Sequence, residues 1–283
     1  AGLPDALQMV AASPFDYQNH ALIYLPNGAS PAPNDMAWRD WAVNEMDALV
    51  RASAGGAFLL FTSNDMMHYA AGRLRSLWGG KYTTIMQGEL PKLEIAKRFA
   101  ADGNAVLFAT KSFFEGVSID GQALRLVVVD KMPFEAPNPL STAMEANLLE
   151  HARTLGYTGH KLEMYPFSNL RVPRMIIELK QAAGRLIRTA TDTGAIAILD
   201  PRIRSSQYGR GQVMPALPPA PVLSNAEVAA DWLRKQRRVV TPVTATDKLA
   251  HKAITGGRAK TLTEALPMAK AIQYEADGDV LWA

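Results

Sequence analysis

Gln181-Ala182-Ala183-Gly184-Arg185-Leu186-Ile187-Arg188 brings an amide, a glycine and two guanidinium groups into one short stretch. Read as a helix, Gln181, Gly184, Arg185 and Arg188 fall at i, i+3, i+4 and i+7, which is one stripe of the helix surface. Such a stripe is normally apolar. Here Leu186 and Ile187, beside it, are left to anchor the helix in a core. Two guanidinium groups aimed the same way suit a highly charged anion such as the phosphates of a nucleotide. Gly184 lets another surface approach closely. The plain alternative is a helix whose arginines pair with carboxylates. The full pattern, followed by the apolar strand Ala195-Ile196-Ala197-Ile198-Leu199 and Asp200, favours the anion.

Polar residues also gather where apolar runs end. Phe61 is followed by Thr62-Ser63-Asn64, Met86 by Gln87-Gly88, Ala109 by Thr110-Lys111-Ser112, and Leu199 by Asp200-Pro201-Arg202. Open α/β sheets bind ligands beyond the carboxyl ends of their strands. Hydroxyls, an amide and backbone N–H groups there suit a phosphate backbone, which needs donors more than base-specific shapes. Thr62, Ser63 or Asn64 could equally cap the next helix, and the two roles are compatible because a helix N-terminus attracts anions. The stretch from Lys111 to Gly121 links two buried strands, with Gly116 and Gly121 permitting tight turns. Its bland reading is an ordinary strand–loop–strand connection. The five histidines (His20, His68, His151, His160, His251) show no paired metal-ligand spacing, so no metal site is expected. Ser63 and Ser112 lack the Gly-x-Ser-x-Gly elbow of a hydrolase nucleophile.

The elements that would position these groups alternate along the chain. A strand over 21–25 ends in a turn at Pro26-Asn27-Gly28. Asn34 or Asp35 caps a helix to about Ser53. Strands then follow at 58–61, 81–86, 105–109, 124–130 and 195–199. Between them lie helices over 65–78, 90–101, 141–155 and 174–188, with a less regular stretch up to Val172. Continuous apolar strands alternating with amphipathic helices predict an α/β fold, an open and mostly parallel sheet with helices on both faces. Residues 1–220 read as one domain, and Pro215-Ala216-Leu217-Pro218-Pro219-Ala220-Pro221 as a rigid exit. Residues 221–283 read as a C-terminal extension: a basic helix from Asn225 to Arg238 and a tail of uncertain structure. The run Arg234-Lys235-Gln236-Arg237-Arg238 could hold a nucleic-acid backbone or simply be a solvated helix end.

Composition sets bounds. The chain has 283 residues, 48% of them hydrophobic, a formal charge of +3 and no cysteine. A weak overall field means that any nucleic-acid surface must be local. The lack of thiols excludes disulfides and iron–sulfur ligation within this segment. It fits a reducing, cytoplasmic setting. No apolar run nears the ~18–20 residues that span a membrane. Ala1-Gly2-Leu3-Pro4, without an initiator Met, reads like a cut from a longer protein.

Taken in order, Phe58-Leu59-Leu60-Phe61-Thr62-Ser63, Ser112-Phe113-Phe114-Glu115-Gly116, Asp130-Lys131-Met132-Pro133-Phe134 and Gln181-x-x-Gly184-Arg185-x-x-Arg188 resemble motifs IV, V and VI of a superfamily 2 DNA helicase of the DinG/XPD-like branch. Ser13-Pro14-Phe15-Asp16-Tyr17 resembles the segment after motif III there, and Asp200-Pro201-Arg202 the one after motif VI. The likeness covers roughly residues 13 to 215. It implies the second, C-terminal RecA-like domain of a motor in which two such domains clamp ATP and single-stranded DNA crosses their tops. By position, Arg185 and Arg188 would be arginine fingers on the transferring phosphoryl group, and Gln181 would contact the phosphates or the attacking water. Gly116, Ser118 and Gly184 would lie by the nucleotide. Thr62, Ser63, Gln87, Lys111, Ser112 and Arg202 would hold the DNA strand.

Two departures qualify the resemblance. No Gly-x-x-x-x-Gly-Lys-[Ser/Thr] occurs, and Gly79-Gly80-Lys81-Tyr82 lacks the hydroxyl. The phosphate cradle and magnesium site are therefore expected in the N-terminal RecA-like domain of the same protein. ATP and Mg are bound mainly there, and this segment alone is expected not to hydrolyse ATP. The second departure is Ser118, where the family usually has Asp. It puts nucleotide coupling through motif V in question and points toward the CRISPR-associated DinG-like helicases of type IV systems. Implied partners are single-stranded DNA, the N-terminal domain and a ribonucleoprotein or repair complex. The rivals are a non-catalytic nucleic-acid-binding module of RecA-like shape and a nucleotide-binding regulatory domain.

Overall fold

The computed structural model describes residues 15–27, 33, 35–113, 123–187 and 192–236. A single turn α1 (Tyr17–His20) leads into β1 (Ala21–Tyr24), and α2 (Met36–Ser53) follows. Then come β2 (Ala57–Phe61), α3 (Asn64–Trp78), β3 (Thr84–Met86), α4 (Lys92–Asp102), β4 (Val106–Thr110) and β5 (Leu126–Val129). A helical segment of α5 (Pro139–Thr154), α6 (Gly159–Pro166) and α7 (Val172–Ala183) precedes β6 (Gly194–Ile198). The short turns α8 (Arg202–Ser205) and α9 (Met214–Ala216), β7 (Val222–Leu223) and α10 (Ala226–Lys235) complete the described part.

The seven strands form one sheet in the order β3-β4-β2-β5-β6-β1-β7. The paired strands run parallel. Strands β2, β4, β5 and β6 are buried almost throughout. This explains their unbroken apolar runs: a parallel strand covered on both faces has no polar side to show. One face packs against α4 and α7 through Ile95, Phe99, Met175 and Leu179. The other packs against α2, α3 and α10 through Met46, Leu74 and Leu233. The fold is thus the expected α/β architecture.

Local chemistry sets the element ends. Ser63 caps α3 by accepting from the Met66 N–H at 3.2 Å. Asn138 and Ser141 form a reciprocal capping box at the start of α5, with Pro139 in its first turn. After α2 the chain turns through Ala54, Gly55 and Gly56, all with positive φ. A Cβ on Gly55 would sit 2.0 Å from the Asn104 carbonyl oxygen, so only glycine fits there.

Several expectations need correction. The helix expected over 174–188 ends at Ala183. Arg185 N–H turns back to the Ala182 carbonyl and Leu186 N–H to that of Ala183, so the chain tightens and leaves the helix. The stretch before Val172, expected to be irregular, is α6 continued by a π-type turn over Phe167–Arg171 into α7. Pro166 and Pro173 lack the N–H groups that a regular α-helix would need there, and a wider turn absorbs the loss. Strand β3 covers only Thr84–Met86 of the expected 81–86. The proline-rich 215–221 segment does not project as a rigid exit. Pro221 accepts from the Ile23 N–H at 2.9 Å, and β7 then pairs with β1. The start of the 221–283 segment is therefore packed on the sheet, with α10 against α2.

Candidate nucleotide and strand interface

The carboxyl ends of β2, β4 and β5 open into a cleft of about 440 Å³, part of it open to solvent. Thr62, Lys111, Asp130 and Lys131 line it from the strand ends, and Glu178 and Gln181 from α7. Thr62, Lys111 and Gln181 are exposed there. The sequence separates these groups by up to 119 positions (62 to 181), and the sheet order brings them to one wall.

At the back of this wall lies Asp130, which is fully buried. Its Oδ1 accepts the backbone N–H groups of Thr62 at 3.0 Å and of Lys131 at 2.6 Å. Its Oδ2 faces the Thr62 hydroxyl at 3.4 Å, a much weaker contact. Burial pushes this carboxyl up to about 7, and the hydrogen bonds and the Lys131 charge offset only part of the desolvation. Asp130 ties the loop after β2 to the loop after β5. Lys131 in turn places its ammonium 5.1 Å from the Trp38 ring centroid at the start of α2.

A second buried carboxylate, Asp200, follows β6. It accepts the Met132 N–H at 2.9 Å and takes Arg202 in a fork, Nε to Oδ1 at 2.9 Å and Nη2 to Oδ2 at 2.7 Å. The fork and the charge of Asp200 raise the Arg202 pKa further. The same guanidinium lies 6.0 Å from the centroid of Phe134, which packs with Phe167 and Tyr208. Arg202 is thus engaged within the fold. Gln87 is similar: its side-chain oxygen accepts both the backbone N–H and the hydroxyl of Thr110, at 2.8 and 3.0 Å, joining the ends of β3 and β4. Ser63 is exposed beside Thr62 while capping α3.

Of the Gln181–Arg188 stripe, Gln181 lines the cleft while Arg185 lies apart from it. Arg185 is half-buried in the turn after α7. Its neighbour Leu186 packs against Gly194, the first residue of β6, where a Cβ would meet Leu186 Cδ1 and the Arg125 carbonyl, each at 2.5 Å. That is the amino end of the sheet, opposite to Thr62 and Lys111. Gly184 is exposed, and among the described residues a Cβ there would approach only the Lys180 and Gln181 carbonyls, at 3.3 and 3.8 Å. Arg188, Gly116, Ser118 and the side chain of Ser112 lie outside the described residues.

Sequence reasoning misses two groups. Asp130 enters it only as part of a motif. Arg125, just before β5, is 5% exposed and donates to the carbonyls of Ser53, Ala54 and Gly103 and to Asn104 Oδ1. It clamps the C-terminal ends of α2 and α4, where the helix dipoles favour a cation. The available signal is a lone arginine inside the apolar run Ala123-Leu124-Arg125-Leu126-Val127. Among the described residues no group of three or more acidic or histidine side chains could hold a metal ion, and no helix is long and apolar enough to cross a membrane.

The sheet thus ends at a cleft lined by both apolar and polar residues, with Arg185 in a turn near its amino end. The helicase C-terminal domain family matches residues 46–219, and the chain belongs to that family. Among curated relatives, the ATP-dependent DNA helicase YoaA of Escherichia coli K12 is 35% identical over 78% of this chain and 32% of its own length. The ATP-dependent DNA helicase DinG of Photobacterium profundum is 32% identical over 75% of this chain and 29% of its own length. The chain therefore spans about a third of the relatives it matches. A solved XPD helicase superposes with a TM-score of 0.48 at 17% identity, over 72% of this chain and 36% of that one.

Proposed function

We propose that this chain is the second motor half of an ATP-dependent DNA helicase and that it works with an N-terminal RecA-like domain of the same protein. Membership of the helicase C-terminal domain family carries this reading. In it, Arg185 and Arg188 neutralise charge on the transferring phosphoryl group of ATP, and Gln181 contacts the phosphates or the attacking water. Gly116, Ser118 and Gly184 flank the nucleotide. Magnesium and the phosphate cradle belong to the partner domain. Thr62, Ser63, Lys111 and Ser112 hold the backbone of single-stranded DNA. Gln87 and Arg202 support them, the first through Thr110 and the second through Asp200. Closure of the two domains on ATP and reopening after hydrolysis step them along the strand. A cytoplasmic setting, a repair or ribonucleoprotein complex and the type IV CRISPR-associated branch complete the reading, the last resting on Ser118 alone.

The test uses the protein carrying both domains. Arg188→Ala should lower kcat for ATP by ~10³ or more, and near-normal turnover would reject the finger. The 283-residue chain alone should not hydrolyse ATP. Turnover by it that Arg185→Ala abolishes would overturn the division of labour. Ser118 also favours a second reading, a nucleic-acid-binding module uncoupled from ATP. Strand affinity of the two-domain protein that ignores ATP would select it.

A further inference from the structure

The contacts of Asp130 are divided between its two oxygens in a way that bears on what the cleft can bind. Oδ1 takes both backbone donors, from Thr62 and Lys131. Oδ2 has only the weak contact with the Thr62 hydroxyl at 3.4 Å. When the carboxyl is ionised, that hydroxyl is drawn inward as a donor and shows lone pairs to the cleft. When Oδ2 carries a proton, it donates to Thr62 Oγ1, and the hydroxyl hydrogen is released toward the cleft. Oδ1 keeps both backbone bonds in either state, so the exchange leaves no polar group orphaned. A phosphate needs donors and is repelled by a buried carboxylate behind them.

Resting on the strand-binding reading above, we infer that Asp130 is a positioning residue that takes up a proton when a phosphate of single-stranded DNA docks at Thr62, turning the Thr62 hydroxyl from acceptor to donor. The charged groups around it are Lys131 on its own loop, Lys111 from the end of β4 and Glu178 from α7. Asp200, after β6, binds the adjoining Met132 N–H. No histidine lines the cleft among the described residues. Burial already holds the carboxyl at about 7, so a docked anion has only to raise it further for uptake to occur near neutral pH.

Asp130→Asn is the informative variant. Its Oδ1 can accept both backbone N–H groups and its amide can donate to Thr62 Oγ1, which copies the protonated arrangement. Binding of labelled oligo-dT to the unaltered chain and to the variant is measured by anisotropy across about pH 5.5 to 8.5 at fixed low salt. Affinity of the unaltered chain should fall as pH rises through neutrality, by about tenfold for each pK unit that the docked strand adds. The variant should bind like the acid form throughout, so the ratio of the two affinities should grow with pH. A ratio that stays constant overturns the inference and leaves strand binding intact. No binding by either protein at any pH would remove the strand-binding reading and this inference with it. Should the variant fail to fold, the Thr62 amide proton of the unaltered chain gives the answer by NMR. Its titration midpoint should move to higher pH when oligo-dT is added, and an unmoved midpoint overturns the inference.

Discussion

Replacing Asp130 by Asn should make the protein more stable at neutral and alkaline pH, although it removes a buried, hydrogen-bonded acid. Unfolded, the side chain ionises near its ordinary 3.8; folded, near 7. The folded state thus holds a proton that the unfolded state has lost, and stability falls with rising pH across that interval. The contribution of the neutral carboxyl is complete below 3.8 and is lost as pH rises through about 7. Full ionisation in the fold then costs on the order of 4 kcal/mol, an upper figure because local relaxation and water entry reduce it. Asn carries no such charge and can keep the bonds to Thr62 and Lys131. Urea unfolding of both proteins at about pH 5.5 and about pH 8 reads the difference. The variant's advantage should grow by about 2 kcal/mol between the two conditions. An advantage that does not change with pH, or a variant less stable at about pH 8, would show that the fold compensates the buried carboxylate more fully than Lys131 and the two backbone donors can.

Two further outcomes concern the amino end of the sheet. Arg125→Met removes the donors to three carbonyls and to Asn104 Oδ1, and should cost about 3–5 kcal/mol in chemical unfolding; a loss below about 1 kcal/mol would mean that water replaces the clamp. Gly55→Ala combines a φ of 77° with a Cβ 2.0 Å from the Asn104 oxygen. It should lower the unfolding free energy by at least about 2 kcal/mol. Gly79→Ala, with a φ of 52° but nothing within 4 Å among the described residues, should cost only about 1 kcal/mol; equal losses would refute the steric contribution.

The sheet is legible in the sequence because each central strand is buried on both faces. Phe58 to Phe61 or Leu126 to Val129 can then be read without knowing the strand order. Helix ends are less legible. Apolar periodicity continues through Leu186 and Ile187, which are indeed buried. They reach the core from a turn, however, and periodicity does not separate a turn from a helix. Pro166 and Pro173 mark a distorted entry to α7, but a proline says where a helix is disturbed and not that a π-type turn repairs it. In the candidate site, Thr62, Lys111 and Gln181 are legible as types. Their meeting in one cleft depends on the β4-β2-β5 order, which no local pattern encodes. Asp130 is hidden for the same reason: a carboxylate at a strand end is ordinary until the sheet order buries it. Gln87 and Arg202 read as strand-binding groups in the sequence, yet Thr110 and Asp200 engage them within the fold.

The placement of α7 bears on how the two proposed ligands could influence each other. Its buried side, Val172, Met175, Leu179, Ala182 and Ala183, fixes the helix on the sheet. Its exposed last turn puts Gln181 in the cleft at the strand ends. Four residues on, Arg185 lies in the turn whose Leu186 packs on the amino end of β6. A displacement of the last turn of α7 must therefore move the cleft wall and the arginine turn together. The helix is flanked by a π-type turn at Phe167–Arg171 before it and by the exposed Gly184 after it. Thr62 and Asp130, in contrast, are tied to the rigid central strands. On the proposed reading, Thr62 and Asp130 form the part of the strand grip that the sheet holds, and α7 joins that cleft, through Gln181, to the arginine turn.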